Sequence, residues 1–229
     1  TLRMLRDPRV INALNFDPNR QPNGDLRPFL TMEYFEGHDL QEYRDGHPER
    51  FGVDQLKHTL EVAREIALGL HAAHQRKIIH RDVKPANILY RRDDHGFEVK
   101  VIDFGLALPP QQVREQSMLA SSPLTSGAGS LLASSIAGTL KYAPPEQIGE
   151  GGAVGPHSDV YSWARTVNYL LFGRTDPRMR ELRRLDEDLQ ELLDDCLEPL
   201  CDNRLQSFDQ VLQSLDQTLL GSAAQRKGE

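Results

Sequence analysis

Hydrophobic positions along this chain follow two different periods. Val10, Ile11, Ala13 and Leu14 form a short apolar run, and Phe29-Leu30-Thr31-Met32-Glu33-Tyr34-Phe35 forms a second. Between them lies Asp17-Pro18-Asn19-Arg20-Gln21-Pro22-Asn23-Gly24-Asp25, dense in turn formers. Two strand-like runs around such a cluster predict a β-hairpin, ended by Glu36-Gly37-His38-Asp39. From Val53 to Ala73 the period lengthens. Leu56, Leu60, Ala63, Ile66, Ala67 and Leu70 recur at helical spacing, with His71 and His74 near the end, and predict a long, mostly buried helix. Ile78-Ile79-His80, Ile88-Leu89-Tyr90 and Val99-Lys100-Val101-Ile102 predict short strands. Residues 109–137 are rich in Ser, Gln, Ala and Pro and lack periodicity, which predicts a functional loop or a disordered insert. Asp159 to Phe172 is apolar nearly all round, a buried helix. Asp186 to Leu220 carries amphipathic helices on Leu189, Leu192, Leu193, Cys196 and Leu197, then Phe208, Val211, Leu212 and Leu215. No repeat is present. The pattern is α+β: a small strand-rich start followed by a large helical body.

Composition narrows the function classes. The 229 residues suffice for one sizeable domain, or a large lobe with part of a smaller one. A net charge of −7 gives no support to nucleic-acid binding, which wants a clustered basic surface. No run of about 18 apolar residues predicts a membrane-spanning helix, and the start carries no signal-peptide pattern. Cys196 and Cys201 are the only cysteines, too few for a disulfide scaffold or, alone, a zinc site. Reduced packing residues of a cytoplasmic protein are the expectation. The chain opens at Thr1 in mid-pattern, so a piece of a longer protein is expected.

The chemistry concentrates in His80-Arg81-Asp82-Val83-Lys84-Pro85-Ala86-Asn87 and Asp103-Phe104-Gly105. Phosphoryl transfer needs a carboxylate to aim a hydroxyl and accept its proton, and cations to neutralise the moving charge. Asp82 suits the first task. Lys84, two residues on, can reach a γ-phosphate. Asn87 and Asp103 offer the hard oxygen ligands that Mg²⁺ prefers, and Gly105 permits a sharp turn after the ligand. Each piece alone is weak. Their order and spacing, five residues from Asp82 to Asn87 and twenty-one from Asp82 to Asp103, are specific.

This set resembles the signature of eukaryotic-type serine/threonine protein kinases. The resemblance covers nearly the whole chain and implies a protein-kinase-like fold, with ATP and Mg as cofactors and protein Ser/Thr hydroxyls as substrates. It implies that residues 1–35 are the end of a β-rich small lobe with the hinge. Residues 36–220 would be the helical large lobe with an activation segment over 103–146, and 221–229 a tail. Asp82 would be the catalytic base, with Lys84 and Asn87 beside it and Thr139 bonding the aspartate and the lysine. Asn87 and Asp103 would hold the metal. Met32 would be the gatekeeper, the backbone of Glu33 and Phe35 would meet the adenine edge, and Leu89 would lie under the ring. Asp39 would contact the ribose, or equally cap a helix. Lys84 and Thr139 follow the serine/threonine pattern.

Further positions agree. Pro144-Pro145-Glu146 stands where the family has Ala-Pro-Glu, and Glu146 would pair with Arg204. Asp159 would hold the backbone of the His80–Arg81 turn, with Ala164 in place of a usual glycine. Arg81 would pair with a phosphorylated residue among Ser121, Ser122, Thr125, Ser130, Ser134 and Ser135. The runs around residues 139–147 and 157–162 resemble bacterial members. No glycine-rich loop, strand lysine or helix glutamate is identifiable before Met32, so these 229 residues alone are expected to be weakly active or inactive. The stretch from Gly173 to Asp186 is shorter and more charged than the family's substrate-docking helix. A pseudokinase scaffold is the competing expectation, against which the intact Asp82, Lys84, Asn87 and Asp103 argue. A small-molecule phosphotransferase is the third, disfavoured by Lys84 and the Pro144–Glu146 motif.

Overall fold

The computed structural model describes residues 5–20, 26–104, 138–149 and 152–225. Strands β1 (Ala13–Arg20) and β2 (Leu26–Met32) pair antiparallel, from Ala13 opposite Met32 to Arg20 opposite Leu26. The expected hairpin is present, but its bounds differ: Asp17–Arg20, assigned to the turn from sequence, pair with Leu26–Phe29 as strand, and β2 ends at Met32, before Glu33–Phe35. Its first strand starts later than the apolar run, because Val10 is engaged elsewhere in a lone parallel bridge to Val101. Val101 N–H donates to the Arg9 carbonyl at 2.7 Å, and Ile11 N–H donates to the Val101 carbonyl at 3.0 Å. The amino-terminal segment is thereby stitched to a second sheet, ordered β3 (His38–Asp39), β4 (Ile88–Asp93) and β5 (Gly96–Val101).

Among the described residues, α1 (Leu40–Gly46) and α2 (Leu56–His74) pack on this sheet, and α3 (Pro156–Phe172), α4 (Met179–Leu182), α5 (Glu187–Leu197) and α6 (Phe208–Gln225) complete the helical body. Leu60, Ala63, Ile66, Ala67 and Leu70 of α2 are buried, as their spacing requires, with Val160, Trp163, Val167 and Leu170 of α3 and Leu189 and Leu192 of α5. The Trp163 indole N–H donates to the Ala63 carbonyl at 2.9 Å, so the largest buried ring carries no unmet donor. Gly69 lets the amino-terminal segment lie directly on α2; a Cβ there would stand 3.1 Å from the Arg9 carbonyl.

Three further expectations need correction. Val53–Gln55 is a 3₁₀ turn, and α2 begins only at Leu56. The last helix runs to Gln225, past the predicted limit at Leu220. Ile78–His80 is not a strand. Its backbone donors are taken by non-sheet partners: Ile78 N–H by the Ala73 carbonyl at 3.1 Å and His80 N–H by the Asp159 carboxylate at 2.7 Å. Gly105, the 109–137 stretch and the serines within it lie outside the described residues. Among the described residues no helix is long and apolar enough to cross a membrane, and both cysteines are free thiols, Cys196 buried and Cys201 partly so.

Candidate active site

The site is assembled where the chain leaves α2 and re-enters the sheet. His80 is fully buried. Its Nε2 lies 2.8 Å from the Ile102 carbonyl and its Nδ1 accepts the Asp82 N–H at 3.2 Å. The first contact needs a proton on Nε2 and the second a lone pair on Nδ1, which together fix the neutral tautomer. Burial pushes the His80 pKa down, in the same direction. The ring also stacks at a tilt on Phe104, centroids 4.6 Å apart. One imidazole thus ties Asp82 to the strand end that carries Asp103.

Arg81 adopts φ +69° and Asp103 φ +62°, left-handed conformations that cost a non-glycine residue about 1–3 kcal/mol. Arg81 is held there from both sides. Its N–H donates to Asp159 Oδ1 at 2.8 Å, and its carbonyl accepts from Gln147 Nε2 at 2.6 Å. Asp159 lies at the buried start of α3 and also takes His80 N–H and His74 Nε2 on Oδ2, each at 2.7 Å. The expected grip of Asp159 on the turn is present. Gln147 and His74 were not singled out for this role from sequence. Position 147 directly follows the recognisable Glu146, and His74 ends the long helix; adjacency to those landmarks was the only available signal.

Beyond the turn, four of the predicted residues form one cluster. Lys84 Nζ donates to Asp82 Oδ2 at 2.8 Å and to Thr139 Oγ1 at 2.7 Å. Asn87 Nδ2 donates to the same Asp82 Oδ2 at 2.9 Å and to the Asp82 carbonyl at 2.8 Å. Both donors load one carboxylate oxygen. Among the described residues, Asp82 Oδ1 accepts no hydrogen bond, which leaves it open to an incoming hydroxyl. Thr139 lies 55 residues from Lys84 in sequence. No bond from Thr139 to Asp82 accompanies it among the described residues; Lys84 is the bridge.

Asp103 is brought beside Asn87 by the sheet. Ile88 pairs with Val101 across β4 and β5, and Ile102 N–H donates to the Asn87 carbonyl at 2.9 Å. No group of three or more His, Cys, Asp or Glu suited to a metal occurs among the described residues. One carboxylate and one amide oxygen are what remains. Because Asn87 Nδ2 is turned to Asp82, its Oδ1 is directed away from that carboxylate. This incomplete oxygen set fits Mg²⁺, which keeps waters and nucleotide phosphates in its remaining positions.

The nucleotide-side candidates lie along the crossing from β2 to α1. Met32 ends β2 and is partly exposed. Glu33 N–H donates to the Asn12 carbonyl at 3.0 Å, so its N–H is already taken, and its carbonyl accepts nothing from the described residues. Its carboxylate accepts the Asn12 N–H at 3.0 Å and pairs with Lys100 at 2.8 Å; the Lys100 hydrogen bond, ahead of the opposing effect of burial, holds its pKa below the ordinary value. Phe35 lies under the Arg91 guanidinium, 5.3 Å from the ring centre. Gly37 is required by close approach. A Cβ there would sit 2.6 Å from both the Phe35 ring and the Tyr90 carbonyl. Asp39 caps α1, its Oδ1 accepting Glu42 N–H at 2.8 Å. It pairs in register with Leu89, whose side chain points away from the core face occupied by Ile88 and Tyr90.

The expected pairing of Glu146 with Arg204 is bidentate, at 2.7 and 3.2 Å, and both side chains are almost wholly buried. Ser158 Oγ donates to Glu146 Oε1 at 2.7 Å. Burial opposes ionisation of Glu146, but these donors outweigh it and its pKa lies below the ordinary value. Arg204 also packs over Tyr161, 4.9 Å from the ring centre.

Comparison with known proteins agrees with this geometry. The model of the protein kinase domain family matches residues 2–215. Serine/threonine-protein kinase A of Synechocystis is 29% identical, over 82% of this chain and 38% of that protein. Serine/threonine-protein kinase PknL of Mycobacterium tuberculosis is 39% identical over 65% of this chain and 31% of its own length, and PrkC of Bacillus subtilis 34% over 64% and 19%. The chain spans well under half the length of these curated relatives. Among solved structures, the Mycobacterium tuberculosis PknI kinase domain superposes with a TM-score of 0.64 at 21% identity, covering 95% of this chain and 75% of that one. Rad53 residues 1–466 in complex with AMP-PNP gives 0.65 at 23%, covering 93% and 52%. These structures share the α+β protein-kinase-like fold. The matched family model, spanning nearly all of the residues, makes this chain a member of the protein kinase domain family.

Proposed function

We propose that the protein transfers the γ-phosphoryl group of ATP to Ser and Thr hydroxyls of protein substrates. The observation that carries this reading is the convergence of Lys84 and Asn87 on one oxygen of Asp82, with Lys84 extended to Thr139. A substrate hydroxyl at the open Oδ1 of Asp82 is oriented toward the phosphorus. As its oxygen forms the new bond and the bond to ADP breaks, Asp82 takes the proton. Lys84 carries a fixed ammonium into the same space and stabilises the charge that develops on the transferring group. Asn87 and Asp103 would hold Mg²⁺, which when bound draws charge off the phosphate oxygens. The carbonyl of Glu33, the backbone of Phe35, and Met32, Leu89 and Asp39 would receive the nucleoside. Residues 1–35 then belong to the small lobe and hinge, and 36–220 to the large lobe. Two unpaired thiols suit a cytoplasmic setting, where ATP is supplied.

The test is incorporation of labelled phosphate from ATP with Mg²⁺, followed by phosphoamino-acid analysis. Phosphoserine or phosphothreonine is expected, with Asp103→Ala reducing the rate at least about a hundredfold. Absence of both transfer and nucleotide binding in the wild-type protein would contradict the reading and favour a partner-binding scaffold.

A further inference from the structure

A cavity of about 350 Å³ opens beside the catalytic cluster, and no role above uses it. Its walls include Gln41 near the start of α1, Lys141 and Tyr142 just after Thr139, Tyr169 near the end of α3, and Arg174 with Asp176 beyond it. We infer that this cavity, with the arginine-rich segment that follows it, selects protein substrates bearing an acidic residue close to the phosphorylated Ser or Thr. The inference rests on the phosphoryl-transfer reading, because it assigns the neighbour of the acceptor residue to a place.

The position follows from connectivity. Thr139 is bonded to Lys84, which is bonded to Asp82. A peptide whose hydroxyl reaches Asp82 comes close to Thr139, and Gly138 and Lys141, on either side of Thr139 in the chain, line the cavity.

The sign of the charge follows from what each wall residue already does. Asp176 is bound by Arg165, which also donates to Tyr161 Oη. Asp45, behind Tyr169, accepts the Tyr169 hydroxyl at 2.5 Å. Both nearby carboxylates therefore have internal partners. The cations do not. Lys141 is exposed and forms no ion pair among the described residues. Arg174 is about half exposed and meets Glu181 only at 4.0 Å.

The surface beyond extends the pattern. Residues 174–184 carry Arg174, Arg178, Arg180, Arg183 and Arg184 against Asp176 and Glu181, in a chain whose net charge is −7; Arg184 is paired with Asp54 at 3.1 Å, which leaves Arg178, Arg180 and Arg183 to set the sign. Arg178, Arg180 and Arg183 are exposed, next to an exposed Met179 on the short helix α4. A locally cationic face on an acidic protein attracts acidic partners and repels basic ones. The short, charged segment that departs from the family's docking helix is thus the feature that sets the preference.

The experiment uses peptides sharing one Ser or Thr acceptor, with Asp, Ala or Lys placed at each flanking position in turn. Turnover is read as kcat/KM, and binding separately as fluorescence anisotropy of labelled peptides. Asp at one flanking position is expected to raise kcat/KM about three- to tenfold over Ala, with Lys below Ala. The preference should shrink as salt rises. It should reverse in a Lys141→Glu, Arg174→Glu double variant; the single Lys141→Glu change, on an exposed side chain, provides a milder form if the double variant fails to fold. Equal kcat/KM for the three peptides, or a preference that survives both variants, overturns the inference. If the wild-type protein phosphorylates no peptide and binds no nucleotide, the phosphoryl-transfer reading fails; with or without turnover, anisotropy decides the cavity: binding selective for Asp and lost in Lys141→Glu upholds it, and equal binding of the three overturns it.

Discussion

At the scale of single residues, the site separates the two oxygens of Asp82. Oδ2 carries the load of Lys84 and Asn87, while Oδ1 accepts nothing from the described residues. Thr139 acts on Lys84, since its Oγ1 is the second acceptor that, with Asp82 Oδ2, fixes the ammonium in place. Thr139→Val keeps the shape and removes the acceptor. A hydrogen bond to a charged group contributes about 1.5–3 kcal/mol, so kcat should fall at least about tenfold with KM for ATP little changed. Thr139→Ser, which restores the oxygen, should recover most of the loss. Steady-state kinetics on the three proteins checks this. Residue identity and spacing made Asp82, Lys84, Asn87 and Asp103 legible in the sequence, because that chemistry needs those side chains in that order. Gln147 and His74 were not legible. Their parts depend on where a helix end and a short turn meet the Arg81–Asp159 contact in space, and amide and imidazole donors serve many purposes elsewhere.

At the scale of elements, two buried polar contacts hold the frame. The Glu146–Arg204 pair ties the Pro145–Ile148 turn to the turn between α5 and α6. Removing one member leaves the other charge buried and uncompensated, which costs about 3–5 kcal/mol. Arg204→Met should lower the midpoint of denaturant unfolding accordingly. The double variant Glu146→Gln, Arg204→Met should lose less than Arg204→Met alone, because no bare carboxylate then remains. The second contact is the ring cluster where α2 meets the β4–β5 hairpin. His58 lies 3.1 Å from Tyr90 Oη and edge-on to Phe97. Burial, with Arg92 and Arg50 nearby, pushes its pKa down from 6.5 to about 4. A depressed histidine means that the unfolded chain binds the proton first, so stability is full above about pH 6.5 and declines as pH falls toward 4. His80 acts in the same direction. His58→Gln should therefore flatten, without abolishing, the loss of stability between pH 6.5 and 4.5, read by thermal unfolding across that range.

Elements were also where sequence and structure differed most. The long helices were legible, since their apolar residues recur with the helical period and are buried as a stripe. The Ile78–His80 strand failed because local composition registers apolar residues and not their hydrogen-bond partners. There the partner is a carboxylate 79 residues away that displaces any sheet.

At the scale of the whole molecule, the arrangement divides labour between a sheet that fixes register and helices that supply the holding groups. The pairing of β4 with β5 places Asn87 and Asp103 side by side. The buried end of α3 supplies Asp159. Thr139, far away in sequence, meets Lys84, and Gln147 meets the Arg81 carbonyl. Net charge spoke against nucleic acid but hid the cationic face at residues 174–184, because an average over the chain cannot show a local sign. The central claim is that Asp82 performs chemistry and does not merely hold the nucleotide. The most direct measurement compares MgATP affinity with the single-turnover rate of phosphoryl transfer in the wild-type protein and in Asp82→Asn. The account predicts a rate lower by at least about a hundredfold with affinity changed no more than about twofold. An unchanged rate, or a loss of affinity as large as the loss of rate, would contradict it.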